Sequence, residues 1–84
     1  MTGEEAALSR LRWRCRRGML ELDLLLQGFL DSGYTQLEAA QREQFAAFLA
    51  LSDQQLYDYL LGNVPPDEKE FIDVIERIRH AASH

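Results

Sequence analysis

The fold is decided by residues 19–33, which read MLELDLLLQGFLDSG. Apolar residues recur in this stretch at spacings of three and four, and that spacing places them along one face of an α-helix. The members of this apolar stripe are Leu22, Leu25, Leu26, Phe29 and Leu30. We therefore predict a helix over about residues 19–32 that buries one face, with Gly33 as its stop.

The residues before this stretch predict a first, shorter helix. By the same spacing, Leu8, Leu11 and Cys15 fall on one face. The two arginines Arg16 and Arg17, followed by Gly18, are typical of a helix end. Cations stabilise the negative end of the helix dipole, and glycine adopts the left-handed conformation that often follows the last turn.

Three further helices are predicted after Gly33. Thr35 with Glu38, and Ser52 with Gln55, match the capping box at a helix N-terminus. Gly62 and Asn63 end the fourth helix, and a stiff connection with two prolines over residues 64–67 leads into an acidic start of the fifth. The residues assigned to the inner faces are Leu37, Phe45, Phe48 and Leu49, then Leu56, Tyr59 and Leu60, then Phe71, Val74, Ile75 and Ile78.

These patterns predict an all-α fold, because no alternating β pattern occurs. We expect a single small domain over residues 1–84, a compact bundle of about five short helices with frayed ends at residues 1–6 and 81–84. With 46% hydrophobic and 27% charged residues the chain is too apolar for disorder. A domain of this size has a thin core, which leaves little room for a buried active site.

The charge is unevenly placed along the chain. Residues 1–17 carry a net charge of +3 and the remainder carries −8, which together give the −5 of the whole chain. A basic patch on an acidic body favours an oriented encounter with a partner protein. The patch is only weak evidence for nucleic acid, because the acidic remainder would repel phosphates, and we expect no nucleic-acid partner.

Features that bear on location point to the cytoplasm. The single cysteine excludes an internal disulfide and suits a reducing compartment. No apolar run approaches the roughly 18 residues that span a bilayer, and the N-terminus lacks a secretion or transit pattern. We therefore expect a cytoplasmic protein without direct membrane insertion; an organellar protein whose targeting segment has been removed would show the same pattern.

Residues that could carry catalysis or bind a metal are few. His80, His84 and Cys15 have no zinc-ligand spacing, and the serines lack the histidine and carboxylate partners of a hydrolytic triad. Two interpretations of Cys15 stay open: a reactive thiol whose pKa neighbouring arginines lower, or, as we favour, a small apolar residue of the core. We predict no catalytic, cofactor-binding or metal-binding residues.

The best candidate for a site is the segment around Arg17, Gly18 and Glu21. It could be only a corner between two helices whose charges cap and solvate. Five arginines cluster there, however, in an otherwise acidic chain. Glu21 lies about one helical turn from Gly18, so Arg17 and Glu21 could present a guanidinium fork and an acceptor on one exposed patch. A glycine between them would let a partner's backbone approach closely.

This segment resembles the hallmark Arg-Gly-x-x-Glu of the bacterial FAD assembly factor family, which is related to the mitochondrial succinate dehydrogenase assembly factor. The resemblance spans about residues 9–80. It departs at Tyr59, where relatives often carry tryptophan, and at residues 64–65, which are Val-Pro where some relatives have Gly-Lys. The other matching positions are Arg10, Trp13, Cys15, Arg16, Leu22, Asp23, Leu56, Tyr57, Leu60, Pro66 and Asp67.

The resemblance implies a binding protein and no enzyme. Such factors bind the flavoprotein subunit of succinate dehydrogenase, and often that of fumarate reductase, and promote covalent attachment of FAD. The partner flavoprotein handles the FAD, so the resemblance implies no stably bound cofactor. We expect a monomer. The resemblance and the chemistry of interfaces imply partner-binding roles for Arg17, Gly18, Glu21, Arg16, Asp23, Arg10 and Trp13.

Two rival functions remain. One is an antitoxin-like, DNA-binding or other helical interaction module without a role in flavinylation, and a steep salt dependence of binding to duplex DNA would support its DNA-binding form. The other is a small enzyme that uses Cys15. A slow, denaturant-dependent reaction with a thiol reagent would identify Cys15 as a buried structural residue instead.

Overall fold

The computed structural model describes residues 3–82, and the regular secondary structure of this part of the chain is all helical. The helices are α1 (Gly3–Arg14), α2 (Leu20–Ser32), α3 (Ala39–Leu49), α4 (Asp53–Leu60) and α5 (Glu70–Ala82), with a 3-10 turn at Tyr34–Gln36 between α2 and α3. The predicted all-α bundle of five short helices is confirmed. Fraying of residues 1–6 and 81–84 stays a prediction, because residues 1–2 and 83–84 lie outside the described part of the chain.

Helix α2 lies at the centre of the bundle and contacts α1, α4 and α5. The predicted stripe is buried at Leu22, Leu26, Phe29 and Leu30, while Leu25 is half-buried. Around it the aromatic rings form a chain of contacts: the ring centroids of Phe29 and Phe45 are 5.2 Å apart. Each such aromatic pair contributes about 0.5–1.5 kcal/mol beyond the area that it buries.

Helix α5 closes the other side of the core against α2, α3 and α4. Its predicted stripe is buried at all four positions, Phe71, Val74, Ile75 and Ile78. Burying each of these side chains stabilises the fold by roughly 1.5–3 kcal/mol. No helix among residues 3–82 is both long enough and apolar enough to cross a bilayer.

The start of α3 differs from the prediction. Thr35 lies inside the 3-10 turn, and Glu38 is the residue before the helix, where its N–H donates to Oε1 of Gln41 at 2.8 Å. The buried ring of Tyr34 packs at 5.6 Å from Phe45 and holds residues 34–36 in the turn, so the helix begins three residues later than the Thr35 cap would require. Leu37 is buried as predicted, but it precedes α3.

The other predicted helix boundaries can be compared residue by residue. The cap at Ser52 is confirmed: the N–H of Gln55 donates to Oγ of Ser52 at 3.2 Å, and the N–H of Ser52 donates to Oε1 of Gln55 at 3.1 Å. Gly33 follows α2 as predicted, and close packing requires it, because a Cβ there would lie 2.6 Å from Cε1 of Phe29. After α4, Asn63 takes the left-handed conformation with φ 56°.

Candidate partner-binding site

The predicted site lies on the turn between α1 and α2, residues 15–19. Helix α1 ends at Arg14, and the N–H of Cys15 donates to the carbonyl of Leu11 at 2.9 Å. Gly18 has φ 80°, so the predicted left-handed glycine is confirmed. Its place is different: Gly18 stands four residues beyond the last residue of α1, in a separate turn, and it does not terminate the helix.

Asp23 of α2 fixes the conformation of this turn. Its Oδ1 accepts the N–H of Arg17 at 2.8 Å, and its Oδ2 accepts the N–H of Gly18 at 3.2 Å. A carboxylate near a helix N-terminus is also stabilised by the helix dipole. Both carboxylate oxygens are thus engaged within the chain, which explains why Gly18 lies in a turn outside α1.

The side chain of Arg17 points into the protein. Its Nη2 donates to the carbonyl of Leu49, and its Nη1 donates to Oδ1 of Asp53 at 3.1 Å. The side chain is only 18% exposed. Leu49 is the last residue of α3, where carbonyls lack partners within the helix, and a cation binds such a carbonyl strongly.

The exposed fork that the sequence predicted for Arg17 is therefore not formed. Its guanidinium joins the turn to the end of α3 and the start of α4. The carbonyl that it binds belongs to a residue 32 positions later in the chain, and local spacing gives no sign of such a contact. A direct contact between Arg17 and a partner stays a prediction.

Gly18 and Glu21 are both exposed. Nothing lies within 4 Å of the position that a Cβ would take at Gly18, so its backbone is open to a partner. Glu21 lines a groove between α2 and the end of α5 together with Leu24, Leu25 and Gly28. The turn thus offers an accessible backbone and a carboxylate, without the guanidinium expected beside them.

Trp13 and Arg16 form the second exposed part of the predicted site. The indole of Trp13 is 71% exposed, and the guanidinium carbon of Arg16 lies 5.1 Å from its ring centroid. At an exposed position such a cation–π contact attracts the two side chains by about 0.5–1 kcal/mol. Both line a groove between α1 and α2, whose other residues are Ser9, Arg12 and Gln27.

Arg10 lies apart from these two residues. It precedes Arg14 by four positions and so shares its face of α1. Arg14 donates to the carbonyl of Ala46 in α3 at 2.9 Å. The exposed side chain of Arg10 is therefore on the flank of α1 nearer α3, and the predicted site is divided between two flanks.

Two residues that the sequence analysis did not single out are prominent on this surface. Leu20 is 74% exposed and Leu24 is 64% exposed. The sequence could have revealed them, because helical spacing places both leucines, four residues apart, on the side of α2 opposite the buried stripe. Polar residues usually occupy that side. Apolar residues grouped on an outward face mark contact surfaces.

Cys15 belongs to the core, as we favoured from the sequence. It is fully buried, and burial raises the pKa of its thiol from 9.0 to about 11, although Arg17, Arg14 and Arg12 partly oppose that rise. A thiol that stays protonated at neutral pH is a poor nucleophile. Among residues 3–82 no three histidine, cysteine or acidic side chains lie together as metal ligands, and His84 is outside the described residues.

Comparison with known proteins gives a consistent family. The family model described as "Flavinator of succinate dehydrogenase" matches residues 9–82. The FAD assembly factor SdhE of Coxiella burnetii is 42% identical over 80 residues, which cover 95% of this chain and 98% of that protein.

Other relatives carry the same description. The FAD assembly factor SdhE of Legionella pneumophila strain Paris is 46% identical over 72 residues, 86% of this chain and 90% of that protein. The FAD assembly factor SdhE of Pseudomonas aeruginosa is 33% identical over 75 residues, 89% of each chain. No solved structure matches the chain.

Proposed function

The chain belongs to the family of flavinators of succinate dehydrogenase, and from this membership we propose that it is an assembly factor, or chaperone, for the flavoprotein subunit of that enzyme. It binds the subunit and promotes covalent attachment of FAD. The observation that carries the proposal is the extent of the family match, residues 9–82, which includes all of the turn around Gly18.

The chemistry of attachment belongs to the flavin and the flavoprotein. The factor contributes binding energy: a protein that binds one conformer of its partner stabilises that conformer by its differential affinity. We propose that the factor docks near the active-site cleft of the flavoprotein before the substrate-side domain closes. It performs no catalytic step, which the buried, protonated Cys15 supports, and it holds no FAD of its own.

The residues of the hallmark take different parts in this function. Gly18 permits a close approach of the partner's backbone, and Glu21 accepts hydrogen bonds from it. Trp13 and Arg16 widen the contact, as tryptophan and arginine do in many interfaces. Arg17 and Asp23 act through the turn, because their internal hydrogen bonds hold Gly18 in its left-handed conformation.

A reconstitution tests the proposal. The chain is mixed with the apo flavoprotein subunit of succinate dehydrogenase and FAD, and covalent flavin is read as fluorescence on a denaturing gel. We expect the wild type to accelerate attachment and Glu21→Ala to slow it. Glu43→Ala, which removes another exposed carboxylate, from α3, is the matched control and should act as the wild type does.

Two substitutions at Gly18 separate steric exclusion from backbone strain. Asparagine tolerates a positive φ, whereas arginine is both strained there and large. We expect Gly18→Arg to abolish the acceleration and Gly18→Asn to retain part of it. If the wild type neither binds the subunit nor accelerates attachment, the proposed function is wrong, and the chain is an interaction module of another kind, such as an antitoxin.

Three further points belong to the same proposal. The flavoprotein of fumarate reductase is a second partner, the factor acts as a monomer, and it acts in the cytoplasm. The single buried cysteine supports a reducing compartment. Repeating the reconstitution with the fumarate reductase subunit, and weighing the complex by light scattering, tests the first two points.

A further inference from the structure

We propose that the outward face of α2 is a second, apolar contact surface for the flavoprotein subunit, continuous with the Gly18 turn. We call this face the α2 ridge and define it by Leu20, Leu24, Gln27 and Gly28. The inference rests on the proposed function and adds to it the chemistry of the partner's surface: an apolar segment with an acidic group on one side and a hydrogen-bond donor or cation on the other.

The first observation is the grouping of exposed apolar side chains. Among the described residues, the three most exposed large apolar side chains are Leu20 at 74%, Trp13 at 71% and Leu24 at 64%, while the other three, on α4, α5 and the loop between them, lie between 36% and 44%. Leu20 and Leu24 are neighbours on one helix face. Trp13 lines a groove with Gln27, which is three residues beyond Leu24.

The second observation is Gly28. It lies inside α2, it is exposed, and nothing within 4 Å would meet a Cβ there. Glycine weakens a helix interior, and neither a left-handed backbone nor close packing within this chain requires it. Close approach by another molecule is a physical reason for its presence.

The shape and charge of the grooves beside the α2 ridge indicate which kind of partner segment would bind there. Gly28 and Leu24 line a groove of about 410 Å³ together with Leu61, Ala81 and Ala82, whose side chains are apolar. Glu21 lies in this groove, on the α5 side of the ridge, and Arg16 lies in the groove on the α1 side. An apolar segment that carries a carboxylate towards Arg16 and a donor towards Glu21 matches both sides.

Area and continuity favour the flavoprotein over a second copy of this chain. Trp13, Leu20 and Leu24 together expose roughly 400 Å², so two copies joined through them would bury about 800 Å², which is the size of a crystal-packing contact. Leu20 stands two residues after Gly18. A large partner that already covers the Gly18 turn would therefore cover the ridge as part of one larger interface.

The test measures the affinity of the full chain for the apo flavoprotein subunit, by calorimetry or interferometry, beside thermal unfolding of each variant. The double variant Leu20→Gln and Leu24→Gln should bind at least about tenfold more weakly, because two apolar side chains lose their burial in the complex. Gly28→Gln should weaken binding while its melting temperature stays at or above that of the wild type. Ile72→Gln, an exposed apolar residue on α5, is the matched control and should stay within about twofold.

The possible results distinguish a failure of the α2 ridge proposal from a failure of the proposed function. Wild-type binding with unchanged affinity in the ridge variants refutes the ridge and leaves the proposed function standing. No wild-type binding refutes the proposed function itself. A wild-type dimer that Leu24→Gln dissociates into monomers assigns the ridge to a second copy and overturns the inference.

Discussion

Replacing Gly18 and Gly28 separately by alanine should change stability in opposite directions, although the substitution is the same. At both positions the added methyl group meets no atom of the protein. The difference in stability between the two alanine variants therefore comes from the backbone conformation alone. Gly18 has φ 80°, a conformation that side chains oppose, whereas Gly28 lies in the regular helix α2.

The magnitudes follow from those conformations. At Gly18 the left-handed backbone costs an alanine about 1–2 kcal/mol, and the reduced entropy of the unfolded chain offsets about 0.4–1 kcal/mol of that cost. The net loss is on the order of 1 kcal/mol. At Gly28 the helical backbone suits alanine, so the variant gains about 0.5–1 kcal/mol. The two variants should thus differ by about 2 kcal/mol.

Urea and thermal unfolding measure this difference directly. In a domain of this size, 1 kcal/mol shifts the melting temperature by about 4–8 °C, so the two variants should melt roughly 10 °C apart with the wild type between them. Gly18→Asn should lose less than Gly18→Ala, because asparagine tolerates a positive φ. Equal shifts of the same sign in both alanine variants would refute the conformation that we assign to the Gly18 turn.

Three other perturbations test the interior of the site. Arg17→Met leaves the carbonyl of Leu49 without its donor and should destabilise the fold by roughly 1.5–3 kcal/mol in urea unfolding; a neutral result would mean that the guanidinium is not docked there. Asp23→Asn keeps only one acceptor for the two amides of the turn and should cost about 1 kcal/mol, with faster hydrogen exchange at the N–H of Gly18; unchanged exchange would contradict the geometry. Burial raises the pKa of Cys15 from 9.0 to about 11. The protonated thiol therefore adds to the free energy of unfolding, fully below pH 9, and this contribution is lost as the pH rises through 11. The pH-dependent contribution of Cys15 to the free energy of unfolding is on the order of 2–3 kcal/mol. Cys15→Ala should lack this pH dependence in urea unfolding across that range.

The helices could be predicted because their signals are local. The stripe of α5 and the cap at Ser52 depend on residues three or four positions apart, and the structure has both. The start of α3 was mistaken because two capping patterns overlap, one at Thr35 with Glu38 and one at Glu38 with Gln41. The buried ring of Tyr34 decides between them, and that choice depends on its contact with Phe45, eleven residues later.

The site was only partly predictable for the same reason. Its location follows from the local cluster of arginines and from the glycine. The direction of the Arg17 side chain does not, because its acceptors are 32 and 36 residues away. The exposure of Leu20 and Leu24 could have been predicted from the sequence, since both stand opposite the buried stripe. In a helix with so many leucines, however, the exposed ones are difficult to distinguish from those of the core.

The different roles proposed for the hallmark residues, ordering the turn or contacting the partner, have a physical reason in the free energy of binding. An exposed turn with a glycine at positive φ would be mobile by itself, and ordering each residue of a mobile backbone on binding costs about 1–2 kcal/mol. Asp23 holds the amides of Arg17 and Gly18, and the guanidinium of Arg17 anchors the turn to α3 and α4 before any partner arrives. Ordering in advance removes that cost from the binding step, on the order of a few kcal/mol for the three residues 16–18. Loss of Arg17 or Asp23 should therefore weaken binding and stability together, whereas loss of Glu21 should weaken binding alone.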